Sequence, residues 1–366
     1  MKIINIIIKI NIILVLFSSC EKNEDVLTLS DRTIIVYMAA DNDLSYTAFE
    51  NLQQMKEGFM DVGTQLVVFF DQGDENPCLA KIHQGTDIIV KSYAELNSAN
   101  SDVLRSIIED VIDLYPAKEY GLILWSHGSS WMPNGSMLKS FGYDSGMRMN
   151  IPDLANSLPV KFNFILFDAC LMGAVEVAYE LKDKTNYIIA SSTETIYQGF
   201  PYDKIIPELI RPKIDFNAVA KSYFDYYNNQ SYSYQSATIS VVDTRYLSDL
   251  AYYMKQFFKS NNVNLQSFDR TSVQRLDLYE EQYIFDLHDF INRILPDANK
   301  DDFMNQLSKV ILCKYYTSQL VQKYDINTYC GLSCYIPLSN RDDLNIYYQT
   351  LKWYKDAGLN YLLVVP

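Results

Sequence analysis

Two residues of this 366-residue chain have the types and the placement to act together as a nucleophile and its proton partner. The apolar run Tyr120 to Trp125 leads into Ser126-His127-Gly128, and the run Phe162 to Phe167 leads into Asp168-Ala169-Cys170. If both runs are neighbouring strands of one sheet, the His127 imidazole and the Cys170 thiol emerge at the same edge, close enough to cooperate. A reactive thiol needs a base or a lowered pKa, and Cys170 directly precedes an amphipathic stretch, Met172 to Leu181, whose helix N-terminus would favour the thiolate. Gly128 lets a substrate approach the backbone, so the N–H groups of Gly128 and Cys170 are candidates for holding an oxyanion. Taken singly, a cysteine after a strand is more often a small buried hydrophobe, and a loop histidine more often a hydrogen-bonded surface group. The pairing at successive strand ends points to chemistry. His83, in a short polar turn, and His288, in an apolar helical run, read as structural.

The elements that must position this pair are legible from hydrophobic pattern. Arg32 to Met38, Thr64 to Phe70, Tyr120 to Trp125, Phe162 to Phe167 and Tyr187 to Ala190 are short continuous apolar runs, as expected of strands buried on both faces. Amphipathic stretches separate them: Leu44 to Met60, Ser101 to Leu114 behind a Ser-Asp cap, and Met172 to Leu181. This alternation predicts an α/β sandwich with a mostly parallel central sheet over residues 31–205. Residues 206–366 read as mainly helical, with helices over Asn217 to Tyr227, Leu247 to Ser260, Gln282 to Leu295, Asp302 to Leu312 and Asp342 to Lys355. Two strand-like runs interrupt them, Ala237 to Val242 and Gly331 to Ile336, which either extend the same sheet or build a second subdomain.

Composition narrows the function classes. With 31 Lys+Arg against 45 Asp+Glu the net charge is −14, which disfavours nucleic acid as a partner. Hydrophobic residues make up 48%, enough for a large core. The segment 1–19 has a positive start, a short apolar stretch and Ser18-Ser19 before Cys20, the pattern of a secretory signal. Small residues before a cysteine resemble the lipobox of bacterial lipoproteins, with Cys20 lipidated, although Phe17 stands where Leu is usual. Residues 20–30 then read as an acidic tether. The expected location is outside the cytoplasm, lipid-anchored to the outer membrane, with display on the cell surface a further expectation. Without Cys20, an odd number of cysteines remains: Cys78, Cys170, Cys313, Cys330 and Cys334, so at least one thiol is free. With three His in the chain, a Cys/His metal cluster has few ligands to draw on.

The runs Val36-Tyr37-Met38-Ala39-Ala40-Asp41-Asn42-Asp43-Leu44, Leu122-Ile123-Leu124-Trp125-Ser126-His127-Gly128, Phe167-Asp168-Ala169-Cys170-Leu171-Met172 and Gly331-Leu332-Ser333-Cys334-Tyr335 together resemble the clostripain family of cysteine endopeptidases. The resemblance implies the fold shared by caspases, legumain and gingipains. It implies Cys170 as the nucleophile, His127 as its dyad partner, and Asp168 at the base of a pocket that selects Arg or Lys in protein or peptide substrates. The other reading of Asp168 is a helix cap. Ser191, Ser192, Glu194 and Asp203 would line the pocket or add acidity to it. Family members are often processed between the His and Cys motifs, and Lys139 is the expected point of self-cleavage of a zymogen. No cofactor is expected to be required. Some relatives use calcium, and Asp41, Asp43, Asp71 and Asp74 are acidic strand-end residues that leave a cation open, with solvated caps the blander reading. The rival class is a surface binding or adhesion lipoprotein that keeps this fold without turnover.

Overall fold

The computed structural model describes residues 29–362 except 74, 134–139, 262, 264, 266–267 and 296. Residues 1–19, read above as a signal segment, and Cys20, Asp74 and Lys139 lie outside the described residues.

Among the described residues, nine strands form one sheet. β1 (Ser30–Ala39), β2 (Thr64–Asp71), β3 (Cys78–His83), β4 (Thr86–Ser92), β5 (Ala117–Trp125), β6 (Phe162–Asp168), β7 (Thr185–Ala190), β8 (Thr238–Asp243) and β9 (Ile311–Tyr316) join in the order β9-β8-β7-β6-β5-β1-β2-β3-β4. The five strands expected from apolar runs are the central parallel ones, β7-β6-β5-β1-β2. Antiparallel pairs flank them, β3 and β4 on one side and β8 and β9 on the other. Of the two strand-like runs expected beyond residue 205, Ala237 to Val242 becomes β8 and extends the main sheet, whereas Gly331 to Ile336 does not join it; β9 was not expected.

Helices cover both faces because successive side chains of each strand point to opposite sides. Ile34, Val36 and Met38 of β1 pack with α1 (Ser45–Gly58), where they join Leu52 and Met55. Ile35, Tyr37 and Ala39 face the other layer, with Leu104, Ile107 and Val111 of α2 (Ser101–Leu114). Asn100 caps α2, its side chain accepting from the N–H groups of Asp102 and Val103. α3 (Ile151–Ser157) and α4 (Val175–Leu181) lie in the α2 layer, while α5 (Tyr202–Leu209) and α6 (Phe216–Asn228) lie in the α1 layer.

Several boundaries differ from the sequence reading. The β3–β4 hairpin was not expected, because its residues alternate with charges (Lys81, Asp87, Lys91) instead of forming a continuous apolar run. Ile284–Asp286 is a strand before α7 (Leu287–Ile294), and it pairs with Ser333–Tyr335 in a small ladder outside the main sheet. The helix expected over Asp302 to Leu312 ends at Val310, where β9 begins. Among the described residues no helix is long and apolar enough to cross a membrane.

Candidate active site

Parallel strands in register bring their carboxyl ends to one edge. Trp125 at the end of β5 lies opposite Asp168 at the end of β6, and the Ser126 N–H donates to the Asp168 carbonyl at 3.2 Å. The chain then carries His127-Gly128 and Ala169-Cys170 past each other. A Cβ on Gly128 would stand 2.7 Å from the Cys170 carbonyl oxygen and 2.9 Å from the Ala169 Cβ, so only glycine permits this approach. Leu171, beside Cys170, is held at φ 65°, a left-handed conformation that a leucine adopts only when the surroundings impose it. They do: the Leu171 N–H donates to the Thr193 carbonyl and the Gly173 N–H to the Ser191 carbonyl, tying the turn after β6 to the loop after β7.

His127, Asp168 and Cys170 line a single cleft of about 110 Å³, together with Leu44, Trp125, Ser126, Thr195, Ile196, Tyr197 and Gly199. Larger cavities, about 650 and 770 Å³, lie at the opposite end of the strands and share Arg32, Glu119 and Pro212, but bring no thiol to a base. His127 Nε2 is 2.7 Å from the Asp43 carboxylate, which this hydrogen bond holds below the usual carboxylate range. The Cys170 Sγ accepts from the Thr195 N–H at 3.3 Å and lies 3.4 Å from the Thr195 hydroxyl.

The thiol is not activated in the expected way. α4 begins at Val175, so Cys170 lies in a turn and not against a helix N-terminus. Burial pushes its pKa up; the Thr195 hydrogen bonds oppose this, and the nearby Glu194 and Asp168 carboxyls add to it. Free thiols elsewhere are likewise raised by burial, as at Cys78 and Cys313.

Asp168 is 4% exposed. Its Oδ2 accepts from the Phe200 N–H at 3.0 Å and the Tyr202 hydroxyl at 2.8 Å, while burial raises its pKa to about 6. Gly199, at φ 68°, lets the following backbone reach this carboxylate: a Cβ there would stand 2.6 Å from Oδ2. Asp168 caps no helix, since α4 has no side-chain cap.

The remaining acidic and hydroxyl candidates do not join the cleft lining. Ser191 and Ser192 are fully buried, bonded to Thr193, Thr238, the Gly173 carbonyl and Tyr329. They hold the β7 loop in place and do not offer a surface to ligand. Glu194 is partly buried, accepts from the Leu278 N–H at 2.8 Å, and desolvation pushes it up to about 7. Asp203 sits on α5 and pairs with Lys204 at 2.9 Å. Among the described residues no group of three or more His, Cys, Asp or Glu side chains converges to hold a metal ion, and Asp43 is engaged by His127. Sequence reading passed over Thr195, Tyr197 and Asn51. Asn51 accepts from the Trp125 indole N–H at 2.8 Å and donates to the Gln198 carbonyl, bracing the cleft wall from α1. Thr195 and Tyr197 follow the end of a predicted strand, a position that could have marked them.

A sequence profile of the clostripain family matches residues 36–360. Clostripain of Hathewaya histolytica is 25% identical over 219 residues, which are 48% of this chain and 42% of that protein. The match thus spans less than half the length of this curated relative. Among solved structures, an inactive zymogen of a C11 protease from Parabacteroides distasonis is 31% identical, with a TM-score of 0.80 over 90% of this chain and 99% of that one. A secreted C11 cysteine protease from Bacteroides thetaiotaomicron, in complex with an irreversible peptide inhibitor, is 29% identical with the same score and coverage.

Proposed function

Because the chain belongs to the clostripain family of cysteine proteases, we propose that it is an exported endopeptidase that cuts after Arg or Lys with Cys170 as nucleophile and His127 as proton donor. The observation that carries this reading is the shared cleft of His127, Asp168 and Cys170. As the Cys170 sulfur attacks the scissile carbonyl its thiol proton passes to the imidazole, and His127 gives a proton to the leaving amine as the C–N bond breaks; water then hydrolyses the thioester, its OH going to the acyl group and its other hydrogen returning to the Cys170 sulfur by way of His127. The Gly128 and Cys170 N–H groups stabilise the oxyanion, a role that the close packing of these two backbones supports. Asp43 orients the ring through Nε2, leaving Nδ1 for proton transfer.

Asp168 is the selecting carboxylate. A buried acid with a pKa near 6 is ionised at neutral pH at a desolvation cost, which a guanidinium or ammonium entering the cleft would offset. Self-cleavage after Lys139 and lipidation of Cys20 belong to the same reading, and each predicts a product: an N-terminus at Ser140, and a fatty-acyl label that Cys20→Ala removes. The deciding experiment incubates the protein with fluorogenic peptides carrying Arg, Lys, Asp or Leu at P1, beside Cys170→Ala. Cleavage after a basic residue, absent in the variant, is the expected result. Cleavage after another residue would remove Asp168 from its role, and no cleavage by intact or nicked protein would favour a binding lipoprotein.

A further inference from the structure

The mouth of the cleft carries exposed aromatic rings that the cleavage scheme does not use. Tyr197 lines the cleft and is 57% exposed. It sits at the corner of a turn closed by the Gly199 N–H donating to the Ile196 carbonyl. This turn is rigidly held: Asn51 donates to the Gln198 carbonyl, Tyr227 to the Gly199 carbonyl, and the Phe200 N–H is bound by Asp168. The Tyr234 ring meets Tyr197 edge-on with centroids 6.4 Å apart and is 43% exposed. Its neighbour Tyr232 is 79% exposed and held at φ 57°. A preorganised pair of rings on a fixed turn is the kind of surface that gains binding energy at little entropic cost.

Strand order says which part of a substrate meets it. Cys170 follows β6, His127 follows the neighbour on one side, β5, and Tyr197 follows the neighbour on the other side, β7. The leaving amine must face His127, so the acyl side of the substrate lies toward β7. We propose that Tyr197 and Tyr234 form a subsite for a large apolar side chain at P2, the residue preceding the basic P1 residue. This rests on the protease reading above and adds a second specificity determinant to it.

The test measures kcat and KM of the full chain on peptides with Lys at P1 and Phe, Leu, Ala, Gly or Asp at P2, with a parallel set varied at P1′. The proteins are the wild type, Tyr197→Ala, Tyr197→Phe and Tyr234→Ala. Expected is a preference of about tenfold or more in kcat/KM for Phe or Leu over Gly at P2, carried mainly by KM. Tyr197→Ala should bring that ratio near one by raising KM for the Phe and Leu peptides more than for the Gly peptide, Tyr197→Phe should keep it, and Tyr234→Ala should reduce it. A Tyr197→Ala enzyme that keeps the P2 preference, loses rate equally on every peptide, or changes only P1′ preference overturns the subsite. Wild-type protein that cleaves no basic peptide at all overturns the protease reading, and the subsite with it.

Discussion

At the scale of single residues, the site is built from groups whose protonation is displaced by burial or pairing. Asp43 is the clearest case of a residue that acts through another, since its contact is with His127 at 2.7 Å. Asp43→Asn should lower kcat by roughly tenfold or more with little change in KM, and should shift the pH profile of kcat/KM, which a merely structural role would not do. An unchanged profile would remove Asp43 from the machinery. Asp168 makes a separate prediction. Its carboxyl is raised to about 6, so the neutral form accumulates as pH falls through 6, and KM for a peptide with Arg at P1 should rise there. A peptide with Leu at P1, cleaved slowly, should show no such rise; parallel curves for the two peptides would count against Asp168 as the selecting charge. Cys170, raised by burial, predicts slow alkylation by iodoacetamide at pH 7 compared with a thiol of ordinary pKa.

Elements decide what happens if the segment between the His and Cys motifs is cut. The segments on both sides of residues 134–139 are fixed. Upstream, Trp131 is fully buried against Tyr335 and Tyr348, with ring centroids 5.1 and 4.9 Å away. Downstream, a hairpin of Phe141–Asp144 and Met147–Met149 is pinned by the Gly142 N–H on the His127 carbonyl, Asn42 on the Tyr143 carbonyl and the Ser98 N–H on the buried Asp144 carboxylate. β5 from the upstream piece and β6 from the downstream piece are in parallel register from Gly121 to Trp125. Cleavage after Lys139 should therefore leave two fragments that co-elute in gel filtration and separate only in denaturant; dissociation under native conditions would contradict the sheet. Trp131→Ala should cost about 3–5 kcal/mol of stability, measured by chemical denaturation, because the cavity it leaves is enclosed by aromatic rings.

The whole molecule stores a set of buried or partly buried carboxyls. Burial raises Asp71 and Asp168 to about 6 and Glu176 and Glu194 to about 7, above their unfolded values near 3.8 and 4.5. Each holds its proton more tightly folded than unfolded, so the cost of the buried charge is full above pH about 7 and is relieved as pH falls through 7 and 6. Surface aspartates held low by partners, such as Asp31 with Lys118 and Asp343 with Arg341, have the opposite sign, but their contribution is lost only at and below the ordinary carboxylate range. The melting temperature should thus be higher at pH 5.5 than at pH 8, and a flat or falling profile across that window would refute the burial of these groups. Of the architecture, the sequence by itself determined the five central strands and the ends from which His127, Asp168 and Cys170 emerge. A strand buried on both faces must be apolar throughout, and the polar residue that ends it must lie at the sheet edge. It did not determine β3, β4 and β9, whose partly exposed residues break up the apolar pattern, or the start of α4, which a tertiary turn through Leu171 delays. Nor could it separate Ser191 and Ser192, sealed in a hydroxyl network, from Thr195 and Tyr197 a few residues on. All four follow the same strand, and only the packing of the β7 loop against the Cys170 turn decides which side chains face the cleft.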